Sequence, residues 1–401
     1  MPTKSPQVAA GPSGPPSGAA KTLAAAESPH LFPAYRQLGI EPVRGEGSRL
    51  WTRDGRELID FYGAHAVALL GYGHPRLLAA LAAQAETLFF QTTAVPLAVR
   101  ARAARRLSAF VGLPRVFFVN SGAEANENAL RLAFRLSGRP RVVAVEGAFH
   151  GRTAAAAAVT AGSARWYGFP RAPFEVTFVP RGDVAALSAA VRPDVAALIV
   201  EPVQGMAGAI DLGGEYLEAA RALTRRAGAL LVFDEVQCGM GRTGWPSSVK
   251  RWGVMPDLLT LGKGLAGGLP AAAMLASEEL AETVAFGDLG TTFGGGPLAS
   301  ALVEAVLEVL GEPGFLPAVQ ARSEEIRRRC AVGPVVAVQG AGLLLGLVTS
   351  RPAAEIQQEL LARDVLAGTS ADPQVLRLLP ALTVGSGEVG RLAAALSEIR
   401  A

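Results

Sequence analysis

The stretch GALLVFDE (residues 228–235) sets five consecutive apolar side chains between a glycine and two carboxylates. A short apolar run bounded in this way reads as a strand buried on both faces. Five similar runs occur: RVFFVN (115–120), RVVAVEG (141–147), VAALIVEP (195–202), DLLTLG (257–262) and AAAML (271–275). Segments rich in Ala, Leu and Arg, with helical character, separate most of them. Strands alternating with helices predict an α/β domain built on a mostly parallel, buried sheet.

Working outward, residues 43–61 predict a hairpin that turns at Asp54-Gly55. After about residue 311 the pattern becomes a smaller α+β unit, with AVQGAGLLLGLVT (337–349) and VLRLLPALTV (375–384) as strand candidates. The expected division is a disordered tail over 1–27, rich in Pro, Gly, Ser and Ala, and an N-terminal segment (28–74) that joins the smaller domain. A large domain (75–311) and a C-terminal small domain (312–401) follow.

Composition narrows the function. The 401 residues carry a net charge of +3 with dispersed arginines, which argues against a nucleic-acid partner. Cys238 and Cys330 stand alone, and the four histidines are too scattered for a metal cluster. No apolar stretch is long enough to span a bilayer, and no secretory signal opens the chain, so a cytoplasmic, membrane-free protein is expected.

In sheets of this kind ligands bind at the carboxyl ends of the strands. Asn120 and Ser121, Glu201, Asp234 and Lys263 all fall at such ends. NSGAEANENALRLA (120–133) follows a strand and opens a helix, whose free N–H groups favour an anion. Ser121 with Glu124 is equally a capping box. Asp234 would be costly to bury unpaired; a helix cap, a buried cation or a protonated ring nitrogen would each satisfy it. Lysine is rare here, at positions 4, 21, 250 and 263 only, in a chain that otherwise writes its cations as Arg. A partly buried lysine can lose its proton and act as a nucleophile, which arginine cannot do. Lys263, between glycines just past a strand, therefore reads as a Schiff-base lysine. The three features together describe a site for pyridoxal 5′-phosphate: helix start for the phosphate, Asp234 for the ring nitrogen, Lys263 for the aldehyde carbon.

The motifs SGAEANENAL (121–130), AFHGRT (148–153), IVEPVQG (199–205), LLVFDEVQCGMGRTG (230–244), PDLLTLGKGLAGGLP (256–270), TTFGGGPLA (291–299) and RLLPALT (377–383) resemble the class III pyridoxal phosphate aminotransferases, the acetylornithine group in particular. The resemblance runs from about residue 43 to the end. It implies an aspartate aminotransferase-like fold, whose large domain has a mostly parallel seven-stranded sheet, and a homodimer with shared active sites. It implies that Gly122 and Ala123 lie at the phosphate, Phe149 and Val236 on the two ring faces, and Gln237 at the ring hydroxyl. Thr292 would reach the phosphate of the neighbouring subunit, with Thr291 at the substrate. Arg377 would hold the α-carboxylate of glutamate or 2-oxoglutarate, and Arg152 that of the N-acylated donor; Glu201 falls beside the substrate.

The expected activity is transfer of the distal amino group of N-acetylornithine, or another N-acylornithine, to 2-oxoglutarate, in arginine biosynthesis. Alternatives are transamination of N-succinylornithine, a carrier-linked lysine or 4-aminobutyrate, and a pyridoxal-fold binding protein without turnover. The chain departs from the family pattern at Met206, where a glutamate is usual, and at Cys238 and Gly296. His65 also replaces a common aliphatic; it could face the substrate or sit in the core.

Overall fold

A computed structural model describes residues 30–32, 34 and 37–401. The expected tail at 1–27 lies outside the described residues. The hairpin forms, with Arg49–Thr52 antiparallel to Glu57–Asp60 and Gly55 at φ +87° in the turn. A further strand, Pro42–Glu46, pairs with Arg49–Thr52, so this region supplies three strands. The last of them, Glu57–Asp60, lies parallel to Val365–Leu366 and so ties the beginning of the described chain to its C-terminal part.

The large sheet has seven strands in the order Arg115–Val119, Ala272–Ala276, Leu258–Leu261, Leu230–Asp234, Val195–Val200, Arg141–Val145, Glu175–Val179. Ala272–Ala276 runs antiparallel to both neighbours; the other pairings are parallel. All six expected runs are strands. The seventh, Glu175–Val179, has no such run: it is an edge strand of which only Val179 is buried, and Glu175 and Thr177 interrupt its apolar pattern. Successive side chains of the central strands serve opposite cores, as the two-residue period demands. Val143, Leu198, Leu231 and Leu259 pack with Leu217 and Val306 on one side. On the other, Val142, Ala197, Val232 and Leu258 pack with Leu130 and Ala133. Each fully buried Leu or Val stabilises the fold by roughly 1.5–3 kcal/mol.

Beyond the large sheet, Val335–Ala341 and Leu344–Thr349 form an antiparallel hairpin where the sequence pattern offers one uninterrupted run. Gly342 makes the turn at φ +54°, and a Cβ there would lie 2.3 Å from the Thr243 carbonyl carbon. Val375–Leu378 and Gly368–Thr369 complete this sheet.

Candidate active site

Three adjacent parallel strands end together. Val195–Val200 leads into Glu201, Leu230–Asp234 finishes on the carboxylate, and Leu258–Leu261 leads through Gly262 to Lys263. Asp234 is 2% exposed and sits opposite Thr260 in the register. Its Oδ1 accepts from the Val236 N–H at 2.9 Å, while Oδ2 lies 2.7 Å from Asn126 Nδ2 and 2.7 Å from His150 Nδ1. Several donors on one carboxylate offset its desolvation. His150 Nε2 is buried and has no hydrogen-bond partner among the described residues.

Lys263 is half-buried and holds φ +49°, a left-handed backbone that costs a non-glycine residue about 1 kcal/mol. Burial pushes its amine below the usual lysine range, while the nearby Asp234 and Glu201 carboxylates act in the opposite direction. Burial, then repulsion from Asp234, pushes Glu201 up to about 7. Glu201 Oε1 accepts from the Phe149 N–H at 2.8 Å and so holds the loop that carries Phe149.

The helix Gly122–Ser137 begins on Ser121, whose hydroxyl accepts from the Glu124 N–H at 3.2 Å; the Glu124 carboxylate accepts from the Asn120 N–H at 3.0 Å. Ser121 is therefore the N-cap, but the reciprocal bond of a full capping box is replaced by one to the preceding Asn120 N–H. This cap leaves the N–H groups of Gly122 and Ala123, in the first turn, without intrahelical acceptors. A Cβ on Gly122 would lie 2.6 Å from Val236 Cγ1, and one on Gly262 would lie 3.3 Å from the Gly122 nitrogen. The helix start, Val236 and the Lys263 turn are thus in direct contact. Close approach of this kind is what an anion-holding helix start next to a reactive amine requires.

Arg377, 2% exposed, donates from Nε to the Thr369 carbonyl at 2.7 Å and from Nη1 to Gln237 Oε1 at 3.3 Å. Gly205 makes room for that amide, since a Cβ there would be 1.6 Å from Gln237 Oε1. Arg377 opens on a cavity of about 790 Å³ lined also by Tyr62, His65, Met206, Thr369 and Ser370. Among the described residues Arg377 forms no ion pair, and burial pushes its pKa down. His65 lines this cavity rather than the core, with Nδ1 2.7 Å from the Tyr62 hydroxyl. Burial, then Arg377 and Lys263, holds its imidazole below the usual histidine value.

Other expected residues stand apart from this buried cluster. Arg152 is exposed, its guanidinium 4.7 Å from the centre of the Trp166 ring. Thr292 is exposed, and Thr291 accepts from the Gly294 N–H at 3.0 Å. Beside them Phe293 meets Phe90 at 5.2 Å between ring centres, both partly open to solvent.

The sequence of this chain matches the family described as "Aminotransferase class-III" over residues 33–399. The chain belongs to the class-III aminotransferases. It is 45% identical to an acetylornithine aminotransferase of Streptomyces coelicolor over 368 residues, 89% of this chain and 90% of that protein. A succinylornithine transaminase/acetylornithine aminotransferase of Pseudomonas aeruginosa is 39% identical, covering 90% of this chain and 92% of its own. The ornithine aminotransferase structure of Toxoplasma gondii, which has pyridoxal phosphate at partial occupancy in its active site, superposes with a TM-score of 0.87 at 28% identity over 94% of each chain.

In this class-III aminotransferase Asn126, His150 and Thr260 also belong to the site, without a sequence signal of their own. Each lies inside or beside a quoted motif, but an Asn in a helix and a Thr in a strand carry no mark of a polar network until the fold brings them together.

Proposed function

We propose that this class-III aminotransferase binds pyridoxal 5′-phosphate and transfers the distal amino group of N-acetylornithine, or another N-acylornithine, to 2-oxoglutarate. The products are the semialdehyde and glutamate, and the step belongs to arginine biosynthesis. One observation carries the reading: a half-buried lysine and a buried carboxylate at the ends of adjacent strands meet an open helix start.

The residues present suit the cofactor. The Gly122 and Ala123 N–H groups would hold the phosphate, Phe149 and Val236 would flank the ring, and Gln237 would meet its hydroxyl. Asp234 would face the ring nitrogen and Lys263 the aldehyde carbon. When bound, the cofactor supplies an electron sink for the substrate's breaking C–H bond. The chain's own residues do the rest. Asn126, His150 and the Val236 N–H fix the Asp234 carboxylate. Lys263 Nζ, its pKa lowered by burial, accepts and returns a proton during transfer.

Arg377 would bind the α-carboxylate of glutamate or 2-oxoglutarate as a bidentate pair, and Arg152 that of the acylated donor, with Thr291 near the substrate. Stacking on Trp166 covers one face of the Arg152 guanidinium and leaves its in-plane N–H donors for a carboxylate. The exposed Phe90 and Phe293 beside Thr292 support a homodimer in which Thr292 reaches the partner's phosphate site. A cytoplasmic location is consistent with the described residues, in which no helix is long and apolar enough to cross a membrane.

Met206, lining the Arg377 cavity where the family pattern has a glutamate, favours a second reading in which another ω-amine donor is used. The discriminating assay offers the purified protein acetylornithine, succinylornithine, ornithine and 4-aminobutyrate, each with 2-oxoglutarate. The acylornithines should exceed the other two at least about tenfold in kcat/KM, the worth of roughly 1.4 kcal/mol. A preference for 4-aminobutyrate would sink the acylornithine assignment.

A further inference from the structure

Resting on the cofactor reading above, we infer that Asn126 is a positioning residue. Its single buried amide ties the anion-holding helix start, the Asp234 carboxylate and the strand leading to Lys263 into one unit, and Thr260 acts through it. Asn126 lies in the second turn of the helix Gly122–Ser137 and is 1% exposed. Its Nδ2 donates to Asp234 Oδ2 at 2.7 Å and to the His150 carbonyl at 2.7 Å. Its Oδ1 accepts from the Thr260 hydroxyl at 2.7 Å. Both amide protons are used, and the acceptor is used as well. Turning the amide over would aim its oxygen at a carboxylate and a carbonyl, neither of which can donate. The contacts therefore admit one orientation.

The three partners belong to different parts of the candidate site. Thr260 sits on the strand that delivers Lys263 and faces Asp234 across the parallel pair, where its carbonyl also accepts from the Glu235 N–H at 2.9 Å. His150 follows Phe149 in the loop held by Glu201. Thr260 is fully buried, and His150 and Asp234 are each 2% exposed, so water does not replace a lost bond at no cost. No other side chain among the described residues bonds directly to both Asp234 and the loop backbone at His150. Without the Asn126 amide, Asp234 Oδ2 keeps only the His150 imidazole, and the His150 carbonyl loses its donor. The carboxylate would then be held by the Val236 N–H and the His150 imidazole alone, with no direct tie to the helix that starts at Gly122 or to the strand leading to Lys263.

The test uses the full chain, with Asn126→Ala, Thr260→Val and the double variant. Two quantities are read: the Kd for pyridoxal 5′-phosphate, from its visible absorbance, and the single-turnover rate with acetylornithine. Asn126→Ala should weaken cofactor binding about tenfold and slow the half-reaction about ten- to a hundredfold, as expected for a buried charge-assisted hydrogen bond. Thr260→Val, close in shape, should give a loss of about three- to fivefold in the same two readouts. The double variant should be no worse than Asn126→Ala alone, because Thr260 has nothing left to act on. Independent, multiplying losses would overturn the coupling. Unchanged Kd and rate with only a lowered melting temperature would reduce Asn126 to a packing residue. If Asn126→Ala does not fold, an unchanged Kd and rate in Thr260→Val alone refutes the inference. Failure of the unaltered chain to bind the cofactor would overturn the cofactor reading along with the inference, whereas normal binding in every variant would overturn the inference alone.

Discussion

The two ends of the candidate site are built on different principles. Around Asp234 the carboxylate is held at 2.7–2.9 Å by buried Asn126 on a helix, buried His150 in a loop and the Val236 N–H in the turn that follows the strand. Around Arg377 a single buried guanidinium faces a cavity of about 790 Å³ whose lining includes side chains able to re-pack, and Arg152 waits on the surface against Trp166. The buried end is preorganised and intolerant of change. The open end leaves selectivity to a few side chains, so its substitutions should alter preference before they abolish turnover.

That contrast breaks most sharply at Lys263. Lys263→Ala should abolish transamination and the visible absorbance of the loaded protein, and Lys263→Arg should be as inactive although it keeps the charge. Appreciable turnover by the Arg variant would remove the amine from the chemistry. Next in size is Asp234→Asn. The shape survives but the charge does not, so cofactor should still bind at the helix start while the half-reaction slows on the order of a hundredfold or more. A near-normal single-turnover rate would make Asp234 a purely structural residue.

At the open end the effects should be smaller and selective. Arg152→Ala should cost about 1.5–3 kcal/mol, roughly ten- to a hundredfold in kcat/KM, with the acylated donor and much less with glutamate. Equal losses in both half-reactions would place Arg152 outside donor recognition. Met206→Glu puts a carboxylate into the cavity that Arg377 faces. It should weaken inhibition by excess glutamate-like carboxylates several-fold, and no change would show that residue 206 does not mask Arg377.

The mildest effect concerns stability of the cofactor-free chain. Burial pushes both Glu201 and Glu235 up to about 7 from an ordinary 4.5. Between those values the folded chain keeps protons that the unfolded chain has released. Raising the pH from about 4.5 to 7 should therefore lower the melting temperature, and Glu201→Gln should flatten that slope. A melting temperature that climbs through this window in the unaltered chain, and equally in Glu201→Gln, would show that Glu201 is not held protonated.

Much of the molecule was legible in the chain itself. Largely apolar runs mark the interior strands because a parallel sheet covered on both faces leaves few polar positions, Thr260 in Leu258–Leu261 being one. Asp54-Gly55 marks its turn because a left-handed backbone needs glycine. Lys263 stood out because arginine serves every cationic role except that of a neutral amine. Less was readable where a residue's meaning depends on a distant partner. In the edge strand Glu175–Val179 only Val179 is buried, and Glu175 and Thr177 break the apolar run.

Sequence by itself determined six of the seven strands of the large sheet, the residues standing at their ends and the motifs of the family, because these follow from local periodicity and residue chemistry. Only the tertiary structure decided that Asn126, His150 and Thr260 converge on Asp234, that His65 and Met206 share a cavity with Arg377, and that Arg152 rests on Trp166. All but the last of those juxtapositions join segments far apart in the chain. Their hydrogen bonds and stacking arise from the packing of elements against one another, which no local pattern encodes.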